Sequence, residues 1–295
     1  MMQQSSKETT MIITLNAATI GGAPPLAQYI TLAQKFGFDG VDFSLDEAIH
    51  LGKEKGLNGV KALFDEANVQ PAVFGLPVDW RGSNDGFTQG LAQLKEKAQA
   101  AQALGATRTC TWLPPAIDDD PLHFRSQSRD RFRQIATVLG DYNIRLGLEW
   151  VGPYTLRHGP KAMGRNEFIW NMPGLLELIA DIDSPHRNVG LLADSFHWFT
   201  TGAGREDMEA LKPEQIVYVH INDAPDKPRD EQMDGERLQP GDGVIDLGAF
   251  LGALRAIGYD GPLASEVLGS VLGALGPDEA TRLAMEAVRS VVTPS

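Results

Sequence analysis

The chain alternates between short apolar runs and longer segments whose apolar positions recur every three or four residues. Runs of the first kind lie near 12–16, 40–44, 71–76, 107–112, 145–150, 189–194, 216–221 and 262–267, and their length and flanking turn residues predict strands. Helical periodicity fills much of the intervals, and a last helix is expected near 277–292. Eight strands, each with a helical segment behind it, predict an α/β chain closed into a parallel (β/α)8 TIM barrel. The competing arrangement, a doubly wound open sheet, lacks its usual mark: no Gly-x-Gly-x-x-Gly turn follows the first strand.

A weak internal repeat supports the barrel. Residues 33–40 (AQKFGFDG) resemble residues 254–261 (LRAIGYDG), and Leu104-Gly105-Ala106 is a looser version of the same corner. Gly37 and Gly258 are placed to end a helix in the left-handed conformation, with the next aromatic packing back on it. Asp120 is placed to cap a helix that Pro121 opens. No Pro/Ser-rich linker divides the chain, so residues 11–295 are expected to form one catalytic domain. The polar residues 1–10 are expected to be a flexible tail, not a signal peptide.

Composition narrows the partners. With 42% hydrophobic residues in 295, a sizeable core can form. A net charge of −13 would repel a phosphate backbone, which disfavours nucleic acid. No apolar run approaches the roughly 20 residues of a membrane span. A single cysteine, Cys110, rules out an intramolecular disulfide and fits a reducing compartment, so a cytoplasmic location is expected. A homo-oligomer is compatible with this composition.

Four of the apolar runs end in a metal-capable side chain: Leu-Gly-Leu-Glu149, Gly-Leu-Leu-Ala-Asp194, Val-Tyr-Val-His220 and Pro-Leu-Ala-Ser-Glu266. These are the fifth to eighth predicted strands, and barrel enzymes place their chemistry at the strands' carboxyl ends. Because strand side chains alternate, Leu192 and Asp194 share one face, as do Ala264 and Glu266. Taken singly, each carboxylate is commonly a helix cap or a solvated turn residue, and His220 a structural histidine. Taken together, three converging carboxylates would carry a severe desolvation and repulsion cost that one divalent cation relieves. An oxygen-rich donor set of this kind favours Mn, Mg, Co or Zn acting on a small polyhydroxylated carbonyl substrate. Moving a proton beside a carbonyl needs an electrophile for the enediolate oxygen and acid and base groups near the carbons. Glu149 and Glu266 are the expected proton-transfer residues, with Asp194 and His220 mainly holding the ion.

At these residues the chain resembles the xylose isomerase-like sugar isomerases and epimerases, over nearly its whole length and most closely over 146–268. Leu148-Glu149-Trp150-Val151-Gly152, Asp194-Ser195-Phe196-His197, His220-Ile221-Asn222-Asp223 and the run 237–247 (RLQPGDGVIDL) look most like the inosose isomerase branch. The resemblance implies a barrel in which Glu149, Asp194, His220 and Glu266 bind one divalent metal, and the two glutamates double as proton-transfer groups. It further implies that His197 touches a substrate hydroxyl or the outer metal shell. Arg237, before the turn Pro240-Gly241-Asp242-Gly243, is expected to fix a substrate oxygen; Arg229 competes for that role.

The implied activity is a metal-dependent isomerase or epimerase of a keto sugar or keto-inositol. The alternative is a lyase on the same scaffold, resembling 3-dehydroshikimate dehydratase, in which loss of a β-substituent follows the same proton abstraction. A DNA endonuclease of this superfamily would carry further histidines on early strands, and the second and third strands here have none. The segment 152–171 is longer than the inosose isomerase pattern and carries Arg157, His158, Lys161 and Arg165, either to attract an anion over the site or as a solvated or subunit-contacting loop. Trp80, Trp112, Trp150 and Trp198 lie at or shortly after strand ends and are candidates for the core or for walls against sugar C–H faces.

Overall fold

A computed structural model describes residues 11–292; the tail expected over 1–10 lies outside the described residues. Eight parallel strands close into a barrel: β1 (Ile12–Leu15), β2 (Gly40–Phe43), β3 (Gln70–Gly75), β4 (Arg108–Trp112), β6 (Arg145–Glu149), β8 (Val189–Asp194), β9 (Ile216–Ile221) and β10 (Pro262–Ser265). Two short strands outside the barrel, β5 (Ala116–Ile117) and β7 (Asn166–Glu167), pair antiparallel. That ribbon pins the long segment after β6 to the loop after β4. The helices are α1 (Leu26–Phe36), α2 (Leu45–Ala67), α3 (Asn84–Leu104), α4 (Pro121–Gly140), α5 (Met172–Ile182), α6 (Ser195–Thr200), α7 (Arg205–Glu209), α8 (Leu247–Ala256) and α9 (Pro277–Val292).

The corners form as their residues dictate. Gly37 (φ 79°) and Gly258 (φ 78°) end α1 and α8 in the left-handed region. The following Phe38 and Tyr259 donate their amides to Ala33 O and Leu254 O, each at 2.9 Å, and both rings are buried. Asp120 caps α4 by accepting the His123 amide at 2.8 Å.

The apolar content is divided between two layers. The larger core lies between helices and barrel wall, where Phe132, Ile135, Leu148, Leu191 and Phe250 are fully buried. A smaller cluster of Ala72, Val73, Leu192, Tyr218 and Ala264 fills the barrel interior. Gly147 belongs to the same interior, because a Cβ there would lie 2.5 Å from Cys110 Sγ. The inner layer is the floor on which the candidate site stands.

Candidate metal centre and active site

Leu192, Tyr218 and Ala264 precede Asp194, His220 and Glu266 by two residues. Strand alternation therefore lifts the three polar side chains one layer above the floor, on the same inward face. Asp194 and His220 are register partners on β8 and β9. Glu266 extends the ladder just past β10, its amide donating to Ile221 O at 3.0 Å. Glu149 closes β6. One ligand atom from each of these four residues lies within 4.8 Å of the others. His220 Nδ1 is 3.2 Å from Glu266 Oε2, 3.8 Å from Asp194 Oδ2 and 3.9 Å from Glu149 Oε1.

The donor set fits a divalent cation. Glu149 Oε1 and both His220 ring nitrogens are buried without a hydrogen-bond partner, an expensive arrangement that a cation would relieve at Glu149 Oε1 and at one of the two nitrogens. Burial raises the proton affinity of Glu149, and Glu266 and Asp194 raise it further. Burial opposes the charging of His220, but Glu266, Glu149 and Asp194 outweigh it and push the imidazole up to about 9. Glu266 moves the other way: burial would raise it, yet His220 and Arg237 hold it below the usual carboxylate range. The cluster attracts positive charge strongly enough to retain protons where a cation would bind.

Surrounding groups fix these side chains. Asp194 is fully buried: its Oδ1 caps α6 by accepting the amides of Phe196 at 2.7 Å and His197 at 3.1 Å, and its Oδ2 accepts Asn222 Nδ2 at 3.0 Å. Arg237, buried to 1% side-chain exposure, places Nη1 3.0 Å from both Asp194 Oδ2 and Glu266 Oε2, and Nη2 2.7 Å from Asp234. Its loop is tied down by Asp223, which accepts the amides of Gly241 at 3.0 Å and Ile245 at 2.8 Å. His197 Nε2 lies 3.2 Å from Arg237 Nη2 and 3.7 Å from Glu149 Oε1. Burial lowers the His197 pKa; Asp194 opposes the shift and Arg237 adds to it.

The structure thus brings all six residues expected from the sequence into one cluster. Arg237 is held against two ligand carboxylates as well as lining the cavity. Arg229, the competing choice, stacks over Phe199. Groups that no strand-end pattern singled out are Asn222, Asp234, Asn16, Tyr218 and Asp42. Asp42 Oδ2 accepts Tyr218 Oη at 2.6 Å and Asn16 Nδ2 at 2.8 Å. Burial raises the Asp42 pKa to about 6, against the pull of His220 and of those two hydrogen bonds.

A cavity of about 390 Å³ opens beside the ligands, lined by Glu149, His220 and Glu266 on one side and Asn16, Asp42 and Ser44 on the other. An adjoining lobe of about 480 Å³ shares Trp112, Glu149 and Glu266 and adds Val151, Leu156, Met163, His197, Arg237 and Leu268. Of the four tryptophans at or shortly after strand ends, Trp112 walls both spaces and is 37% exposed, whereas Trp80, Trp150 and Trp198 are buried in the core. Segment 152–171 turns Leu156 and Met163 toward the lobe and its basic groups elsewhere. Arg157 pairs with Glu167 and stacks on Trp170, His158 meets Glu167, and Arg165 pairs with Asp118.

Comparison with known proteins places this architecture. A model of the family described as "Xylose isomerase-like TIM barrel" matches residues 30–291. The chain belongs to this family. Among characterised members, it is 23% identical to the inosose isomerase of Bacillus velezensis over 96% of this chain and 98% of that one. It is 27% identical to 3-dehydroshikimate dehydratase of Pseudomonas aeruginosa, over 85% of this chain but 37% of the other. A xylose isomerase domain protein from Alicyclobacillus acidocaldarius superposes with a TM-score of 0.87 and 34% identity, covering 96% of this chain and 98% of that one. The crystal structure of the IOLI protein with a bound zinc atom superposes at 0.79 with 23% identity, covering 96% and 98%. No helix among the described residues is long and apolar enough to cross a membrane.

Proposed function

We propose that this family member is a divalent-metal-dependent isomerase or epimerase that moves a proton beside the carbonyl of a keto sugar or keto-inositol. The observation that carries this reading is the convergence of Glu149, Asp194, His220 and Glu266, with ligand atoms within 4.8 Å of one another, at the wall of a cavity that both glutamates line. The inosose isomerase and zinc-bound relatives support the substrate class and the cation. Glu149, Asp194, His220 and Glu266 would hold Mn, Mg, Co or Zn. When bound, the cation supplies Lewis-acid stabilisation of negative charge on a substrate oxygen.

The protein residues divide the remaining work. Glu149 and Glu266 project from strands on the two flanks of the ligand group, β6 and β10, so each reaches a different side of a substrate in the cavity. One accepts the proton from carbon and the other returns a proton, which general acid–base catalysis requires of groups within hydrogen-bond reach. Asp194 and His220, the inner pair, hold the ion. Arg237 orients Asp194 and Glu266 and donates from Nη2 to His197 Nε2, holding that ring beside Glu149.

The dehydratase relative favours a second reading, β-elimination after the same proton abstraction. Incubating inososes, ketoses and cyclic keto acids with the protein in D2O, with metal added or chelated, tests both. Metal-dependent deuterium uptake with a product of otherwise equal mass supports the isomerase, and loss of water supports the lyase. Chelation without effect on uptake contradicts both.

A further inference from the structure

The four ligand-bearing strands β6, β8, β9 and β10 are neighbours in the barrel, and β1 to β4 complete the circle. Across from the ligands stands another carboxylate, half-buried. Asp42 on β2 is four strands from β8 in either direction and lines the same cavity as Glu149, His220 and Glu266. Tyr218 crosses the barrel floor to reach it at 2.6 Å and also meets Thr14 Oγ1 at 3.1 Å. Asn16 donates from β1's exit at 2.8 Å. These contacts occupy Oδ2, while Oδ1 is buried with no hydrogen-bond partner. Neither the metal ligands nor the apolar core requires a carboxylate there, and burying one with an open lone pair is costly unless a ligand donates to it.

The cavity's positive groups are equally informative. Among the described residues lining the 390 Å³ space there is no lysine or arginine. Arg237 is the one arginine of the adjoining lobe, and its guanidinium is held by Asp194, Glu266 and Asp234. Arg81, beside the mouth, stacks on Trp112 and donates to the Trp112 carbonyl at 2.6 Å. Of the basic groups of segment 152–171, Arg157, His158 and Arg165 point to Glu167, Trp170 and Asp118, while the exposed Lys161 meets Met233 Sδ and lines neither space. Away from the metal ligands, a phosphate or carboxylate in this space would face Asp42 and find no lysine or arginine to replace its water.

We propose that Asp42, with Asn16 and Ser44, is the second half of the substrate site. It accepts hydrogen bonds from hydroxyls at the end of the substrate remote from the metal ligands, and makes the enzyme selective for uncharged polyhydroxylated ketones over their phosphate esters and over keto acids. This rests on the function proposed above and narrows it. Hydroxyl-to-carboxylate bonds are charge-assisted and orient a polyol, while the same charge repels an anion.

The test compares a neutral inosose, a ketose with its phosphate ester, and a cyclic keto acid. Deuterium exchange and calorimetric binding are both measured on the metal-loaded protein. The neutral compounds should be preferred by roughly tenfold or more in kcat/KM, and Asp42→Asn should raise their KM about tenfold with kcat and metal stoichiometry nearly unchanged. Preference for the ester or the keto acid, or an unaltered KM in Asp42→Asn, overturns the proposal. If that variant does not fold, the wild-type preference decides. If no compound exchanges deuterium, the isomerase reading fails by itself and binding decides: neutral polyols bound more tightly than the anions uphold the Asp42 subsite, and no polyol binding overturns it.

Discussion

Arg237 Nη1 lies 3.0 Å from Glu266 Oε2, and the same nitrogen is 3.0 Å from Asp194 Oδ2, so one buried guanidinium aligns two of the four ligand carboxylates. The contact offsets the repulsion between the carboxylates and holds them in position before any ion arrives. Groups that orient metal ligands typically contribute 10–100-fold in affinity or activity.

Arg237→Ala should therefore weaken metal binding by about 10–100-fold, read as a shift in the midpoint of a metal titration. Arg237→Lys should recover only part of the loss, since a single ammonium does not reproduce the forked geometry that spans Asp194, Glu266 and Asp234. An unchanged midpoint in both variants would show that the guanidinium does not position the ligands.

Glu149→Gln and Glu266→Gln each keep an oxygen that can face the cation but remove the ionisable group. Turnover and deuterium exchange should fall by roughly 10²–10⁴-fold in each, as for loss of a general acid or base. Near-normal turnover in both single variants would refute the proton-transfer assignment.

The ligand cluster also sets a pH dependence. His220 is raised from 6.5 to about 9 in the folded protein, so in the metal-free state its contribution to stability is complete below about pH 6.5 and is lost as pH rises through about 9. Glu149, also raised, acts in the same direction; Glu266, lowered, contributes above its unfolded value and loses that contribution only in acid. Metal-free protein should thus lose stability between about pH 6.5 and 9. Metal affinity should climb over the same interval as protons leave the ligands. Thermal unfolding with and without chelator across that window checks both trends, and parallel curves would contradict them.

Much of the barrel was legible because each strand is a short apolar run with its own turn chemistry, and Gly37, Gly258 and Asp120 mark corners by local conformation alone. The ligand quartet was legible for a related reason: a polar residue at a strand exit is visible without knowing which strands are neighbours. The ribbon of Ala116–Ile117 with Asn166–Glu167 was not expected, since two-residue strands have no period to read. Asp42 was hidden differently. Its meaning comes from Tyr218, distant in sequence and brought across the barrel only by closure of the sheet. Arg237 stood out by its place before a tight turn, but its bonds to Asp194 and Glu266 and its ion pair with Asp234 emerge only from the packed loop.

The most direct test of the account is a titration of chelator-stripped protein with Mn2+ or Zn2+, followed by calorimetry and elemental analysis after gel filtration. One ion should bind per chain, raising the unfolding temperature, with binding lost or severely weakened in Asp194→Asn and His220→Ala variants that remain folded. A protein that takes up no ion, or one whose uptake is indifferent to both substitutions, would contradict the assignment of Glu149, Asp194, His220 and Glu266 as its metal centre.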